Sequence, residues 1–295
     1  MIAFASNSLL CRAALKETKI DAASFTFIRI FSGAVALWII LTIQRLLRSE
    51  GTGSAFVESL SGSSLRDGNW ISALALFVYA AGFSFAYTSL SAGTGALLLF
   101  GAVQATMILW GLQKGERLST IQVAGFIIAV TGLVVLVLPG VSAPPWIGSI
   151  LMLGAGVAWG IYSLRGKGEK NPATATTGNF VRAVPFAAAL GIIFIIRAHL
   201  DVAGVTFGII SGAITSGLGY VIWYSVLPDL KAASAAVVQL SVPVLAATGG
   251  ILLLGEPITM RYLFASLAVL GGIALVILIP HSKDQTVSPA GQSRA

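Results

Sequence analysis

Apolar residues in this chain come in long unbroken runs, not in the two-residue alternation of a half-buried strand. Leu133 to Leu138 and Ile192 to Ile196 contain no polar position. Such runs exclude a membrane β-barrel, whose strands alternate inward and outward polarity over about ten residues. A helical bilayer crossing takes about 20 apolar residues, and the pattern predicts ten: Met1–Leu15, Ala22–Gln44, Trp70–Leu90, Ala92–Leu112, Thr120–Leu138, Trp146–Leu164, Ala173–Ile196, Gly204–Leu227, Ala232–Leu254 and Thr259–Ile279. Most connections are short. The long polar one runs from Arg45 to Asn69, and Pro144-Pro145 stiffens the join between the fifth and sixth helices.

The pattern is written twice. Phe100-Gly101-Ala102-Val103-Gln104 leads through an apolar run to Gly115-Glu116-Arg117-Leu118-Ser119 and a second run ending at Pro139. Gln239-Leu240-Ser241-Val242-Pro243 leads likewise to Gly255-Glu256-Pro257-Ile258-Thr259 and a run ending at Pro280. Glu116 and Glu256 stand 140 residues apart, and Arg29 and Arg182 stand 153 apart. Most of the difference is the long first-half loop. Five crossings per copy is an odd number, so the second copy must lie upside down, the plan of many secondary transporters. The expected fold is an all-α membrane protein of ten transmembrane helices in two inverted five-helix repeats. Residues 1–140 form the first repeat, with its loop at 45–69, and residues 144–280 the second. Residues 281–295 form a polar tail, expected to be disordered.

Composition agrees. Hydrophobic residues make up 56% and charged ones 10%, with a mean hydropathy of +0.91; no single soluble core hides that much apolar surface. The net charge of +7 is scattered between apolar runs, which argues against a nucleic-acid partner and bears on topology instead. With the N-terminus inside, eleven basic residues fall on inner segments against five outside (Arg12, Lys16, Lys19, Arg197, Arg261), placing both termini in the cytoplasm. Cys11 is the sole cysteine, so no intrachain disulfide is possible. Met1 to Leu10 lacks a basic leader region, so no cleavable signal is expected. The first helix is short: either the true start lies upstream or it is a partial span.

Asn7, Arg29, the paired Gly-Glu hinges and the five-plus-five spans ending at Pro139 and Pro280 resemble the drug/metabolite transporter superfamily, specifically its EamA-domain branch. The resemblance covers nearly the whole chain. It implies a permease of the bacterial inner membrane that exports amino acids, including aromatic ones, by alternating access, with the lipid bilayer and a small-molecule substrate as its partners.

Candidate site residues are the polar and aromatic positions that interrupt spans: Asn7, Tyr79, Phe83, Gln104, Trp159, Tyr220, Gln239 and Ser241. Tyr79, Phe83 and Tyr87 recur every four residues and share one helix face. Gln104 and Gln239 need partners or water in lipid, and so face the bundle interior. Packing between helices is an equally good account of these positions, and Trp159, Tyr162, Trp223 and Tyr224 also suit an interfacial aromatic belt. Pro243 breaks one mid-span backbone hydrogen bond and is the candidate hinge; its earlier counterpart is Val103. Arg29 and Arg182 recur symmetrically, which favours a structural role, with each guanidinium snorkelling or meeting a helix C-terminus. Glu116 and Glu256 are read as structural caps on the helix that follows each hinge.

Absences narrow the function. All eleven acidic residues lie at span ends or in connections, and neither His199 nor His281 is mid-span, so no intramembrane proton or sodium relay is visible. Transport is then facilitated, or coupled through another group. No metal-ligand cluster, cofactor motif or paired catalytic carboxylate occurs, and an intramembrane enzyme is disfavoured. An uncharged, aromatic and amide-lined cleft suits a neutral or zwitterionic metabolite, amino acids foremost. The alternative is the same fold carrying a drug, purine or nucleotide sugar.

Overall fold

The structure, a computed structural model, describes residues 1–48, 67–140, 142–167, 169, 171–226 and 232–278, with the backbone alone for residues 45, 46, 48, 224, 225 and 232–237. Most of the predicted 45–69 loop and the whole 281–295 tail lie outside the described residues.

Long apolar runs without an internal polar face form helices, because only a helix satisfies its own backbone where water is absent. The described residues form ten helical rods: α1 (Ile2–Glu17), α2 (Ala22–Arg48), α3 (Trp70–Tyr87), α4 (Ala92–Gln113), α5 (Thr120–Val137), α6 (Trp146–Gly166), α7 (Pro172–Ile193), α8 (202–226), α9 (Ala232–Leu254) and α10 (Met260–Leu278). Eight of them are long and apolar enough to cross a membrane; α1 and the apolar stretch Val238–Leu254 of α9 are shorter. The prediction and the structure part in two places. The predicted seventh span, Ala173–Ile196, stops as an α-helix at Ile193 and turns through a single 3₁₀ turn at Ile195–Arg197. Rod α8 is not uniform: Val202–Ile209 and Gly219–Val226 are α-helical, while Ile210–Leu218 between them is wound as a wider π-helix.

Helix starts are set by short polar side chains. Asn69 accepts from the Ser72 N–H, Ser91 from Thr94 and Asp201 from Gly204. Ser119 and Gln122 form a reciprocal capping box on α5, and the Thr259 hydroxyl accepts from the Tyr262 N–H at the head of α10. Each cap is worth about 1 kcal/mol. The two hinges turn through glycine in the left-handed region, Gly115 at φ 92° and Gly255 at φ 61°, where a side chain would be strained.

Packing joins the two halves more than it joins neighbours along the chain. Helix α5 lies along α10, α6 packs on α3 and α4, α2 on α7 and α8, and α1 on α8 and α9. Glycines permit close approaches between helices. A Cβ at Gly156 would meet the Leu99 carbonyl at 2.5 Å and Ala102 at 2.6 Å, and one at Gly212 would overlap the Arg29 carbonyl and the Ser32 hydroxyl. The outer faces of α5 and α10 carry exposed Ile127, Val134, Phe264 and Leu267, an apolar surface suited to lipid.

Candidate functional site

Six helices from both halves meet around one buried cluster of rings and amides. Its core is Asn7 on α1, 3% exposed. The Asn7 amide donates to the Ser216 hydroxyl at 3.4 Å, and its oxygen accepts from Ser211 and from Thr215 at 3.2 Å. All three hydroxyls sit on the π-wound stretch of α8. The wider winding changes which side chains share a face, and here it turns three hydroxyls toward a single amide; π-segments often mark functional positions.

Ser216 also accepts from Arg29 Nε at 3.5 Å, while Arg29 Nη2 donates to the Tyr79 hydroxyl at 2.9 Å. The guanidinium lies 5.2 Å from the centre of the Tyr79 ring and 4.8 Å from that of Phe83. From Tyr79 the rings continue: Trp159 at 4.7 Å, then Tyr220 at 5.3 Å from Trp159, then Phe180 and Phe4 against Tyr220. In the other direction Phe83 meets Tyr87 edge-on at 4.7 Å.

Of the predicted site residues, Asn7, Tyr79, Phe83, Trp159 and Tyr220 come together here. Gln104 is buried on α4, and the Ser241 hydroxyl donates to the Val238 carbonyl of its own helix at 2.6 Å. Among the described residues no hydrogen bond or ring contact joins Gln104, Gln239 or Ser241 to the cluster. Pro243 sits buried inside α9. Trp159 and Tyr162 do not form an interfacial belt: they stack on each other at 5.4 Å inside the bundle.

The charged residues depart furthest from expectation. Arg29 does not snorkel. It is 2% exposed, two turns into α2 and walled by Tyr79 and Phe83, so its charge stays within the bundle and the cleft is not uncharged. Arg182 instead reaches the backbone carbonyls of Asp67 at 2.8 Å and Gly178 at 3.0 Å. Nor do the hinge carboxylates cap the helix that follows them, since Ser119 and Thr259 do that. Glu256 crosses to the other half: Oε2 accepts from the Ala92 N–H at the head of α4 at 2.8 Å, and Oε1 pairs with Arg12 Nε at 3.0 Å. Arg12 Nη1 donates to the Tyr87 carbonyl at 2.9 Å and the Thr88 carbonyl at 3.4 Å. Glu116 is exposed, folded back over Gly111. Sequence reasoning missed Arg12, Ser211, Thr215 and Ser216. Arg12 had a signal, because the 153-residue offset between Arg29 and Arg182 also carries Arg12 onto Arg165.

Beside the Arg12–Glu256 pair a cavity of about 200 Å³ opens between the 89–94, 142–145 and 256–262 stretches. On the same face Asp21 accepts from the Ala23, Ser24 and His199 N–H groups. Burial acts to raise the Asp21 carboxyl, but the Ser24, His199 and Ala23 hydrogen bonds outweigh it and hold the group below its ordinary value of 3.8.

Residues 146–278 match the EamA-like transporter family, and an uncharacterised transporter of Archaeoglobus fulgidus is 31% identical over 193 residues, covering 64% of this chain and 68% of that protein. The chain belongs to the EamA-like transporter family. This EamA-family chain is also 54% identical over 277 residues to an uncharacterised protein of Pseudomonas aeruginosa, 94% of the one and 91% of the other. A crystal structure 18% identical in sequence superposes with a TM-score of 0.60 over 94% of this chain and 96% of its own, and so shares the fold. The apolar helices and the family together make the protein a multi-pass membrane transporter.

Proposed function

We propose that this EamA-family transporter exports small zwitterionic or neutral metabolites, amino acids including aromatic ones foremost. In this reading it is a ten-crossing protein of the bacterial inner membrane with cytoplasmic termini. Its inverted halves present a central site alternately to either side. The observation that carries the reading is the cluster itself: Asn7, Arg29 and Tyr79 from the first half interlock with Trp159, Ser216 and Tyr220 from the second. A site assembled from both halves opens to one side or the other as the halves move. The exchange of packing partners supports the inversion, since α3 on α6 has its mate in α8 on α1, and α4 on α6 in α9 on α1. Pro243 is the hinge in this scheme, Arg182 holds the frame through backbone carbonyls, and Glu256 fastens one face through Arg12.

Radiolabelled counterflow in vesicles, with a panel of amino acids, purines and quaternary cations, tests it. Amino acids should exchange, and overproduction should raise tolerance to toxic amino-acid analogues. Tyr79→Ala should lower that tolerance at unchanged expression. Exchange of purines or cations with no exchange of amino acids would reject the substrate class.

A further inference from the structure

A guanidinium has five N–H donors and stays charged in a protein. Two nitrogens of Arg29 are engaged, by the neutral hydroxyls of Tyr79 and Ser216. The third, Nη1, is buried and has no acceptor among the described residues, the one buried side-chain nitrogen or oxygen there in that condition. Nor does a carboxylate face it: the described ion pairs are Arg12 with Glu256 and Lys16 with Glu17. The flanking Tyr79 and Phe83 rings favour a cation but do not neutralise it. An unpaired ion in a low-dielectric interior is expensive to hold. An arginine kept only for architecture spends its donors on fixed acceptors, as Arg182 does on two backbone carbonyls.

We propose that Arg29 is the anchor for a carboxylate on the transported molecule, with Nη1 supplying the hydrogen bond that no described residue takes. This rests on the transporter reading of the same cluster and narrows it. Carboxylate and guanidinium pair strongly because both are charged and planar. With no second cation hydrogen-bonded into the cluster among the described residues, one arginine suits a monoanionic group better than a phosphate. The rings of Tyr79, Phe83 and Trp159 then wall the apolar body that the carboxylate carries. Among the described residues a substrate ammonium finds no carboxylate in the cluster, and the Asn7 oxygen is already shared by Ser211 and Thr215. The carboxylate is therefore the required group and the amine is dispensable. Arg29, Phe83 and Tyr87 are sealed from solvent in this state, so the ligand reaches them when the surrounding helices part.

Thermal-shift titration of the purified full chain in detergent tests this with four aromatic probes: L-phenylalanine, 3-phenylpropionate, L-phenylalaninamide and phenethylamine. The first two should bind, and the two lacking a carboxylate should bind at least about tenfold more weakly, the loss expected when a hydrogen bond to a charged group is deleted. Arg29→Gln should erase that distinction and Arg29→Lys should keep part of it; the ligand comparison on the unsubstituted chain stands whether or not either variant folds. Measurable amide or amine binding equal to that of the carboxylates would overturn the proposal, as would inorganic phosphate binding as well as a binding 3-phenylpropionate. A second panel sets acetate, lactate, benzoate and succinate against their amides. Carboxylates preferred there, with no amino acid exchanged in vesicles, would leave the anchor standing and remove the amino-acid reading. No carboxylate outdoing its amide in either panel would remove the anchor.

Discussion

The Glu256 carboxylate ties three parts of the fold at one end of the helices: the α9–α10 hinge, Arg12 on α1 and the first N–H of α4. Replacing it with glutamine keeps its size and leaves an amide oxygen for the Ala92 N–H, but removes the charge opposite Arg12. The two side chains are only 13% and 7% exposed, so water does little to cancel their attraction. Two unit charges at this range attract by about 4 kcal/mol at an effective dielectric of about 20. Arg12 retains its carbonyl partners at Tyr87 and Thr88, which return part of that. The expected loss is about 2–3 kcal/mol for Glu256→Gln. For Glu256→Ala it is about 3–5 kcal/mol, because both the Arg12 charge and the Ala92 N–H are then unmatched. Glu116→Gln is the control: that residue is exposed, and the change should stay within about 0.5 kcal/mol. Equilibrium unfolding in mixed micelles, followed by far-UV circular dichroism, gives these values, and a double-mutant cycle with Arg12→Gln isolates the pair. A coupling above about 1.5 kcal/mol is expected. If Glu256→Gln is no worse than Glu116→Gln, or the cycle closes with no coupling, the pair does not fasten this face.

Three other predictions concern single positions. Asn7→Ala leaves the hydroxyls of Ser211, Thr215 and Ser216 without their shared amide, and should lower unfolding stability by about 1–3 kcal/mol and abolish transport. Gly212→Ala places a methyl against the Arg29 carbonyl and Ser32; parting α2 from α8 should cost about 1–3 kcal/mol or more, read as a lower thermal midpoint. The Asp21 carboxyl is held below its ordinary value in the folded state, so its contribution is full above the unfolded value of 3.8 and lost as pH falls through the lower folded one. Asp21→Asn should flatten the thermal midpoint across that acid window, and an unchanged acid slope would refute the assignment.

Run lengths alone placed most helices within a few residues, because a bilayer-spanning helix must be continuous and apolar and its ends are marked by Asn69, Ser91, Ser119 and Asp201. What pattern could not reach was winding and partnership. The π-wound Ile210–Leu218 stretch carries the same small and apolar residues as any span, and its hydroxyls gain meaning only from Asn7, some 200 residues away. Arg29 illustrates the same limit. Its distance from the helix start suits snorkelling, and only the packing of Tyr79 and Phe83 around it shows that the charge stays inside. Gln104 and Gln239 read as equally good interior amides, yet the feature that sets Asn7 apart is three hydroxyls on a helix from the other half.

Duplication also misleads when equal sequence is taken for equal work. By the 153-residue offset Arg165 is the counterpart of Arg12, and by the 140-residue offset Glu116 is that of Glu256. Arg12 and Glu256 are joined, yet Arg165 bonds Ser72 at 3.0 Å and Asn69 at 3.1 Å while Glu116 stands exposed. A structural frame would repeat the pair at both ends. A device that opens at alternate faces must hold its two copies in opposite conditions at any one moment, closed at one end and parted at the other. The alternating-access reading therefore expects the reverse arrangement in the opposite state, with Arg165 drawn to Glu116 and Arg12 released from Glu256. Spin-label distances across 12 and 256 should lengthen as those across 165 and 116 shorten when substrate is added in vesicles. Distances that move together, or not at all, would make the Arg12–Glu256 pair a fastening and not a gate.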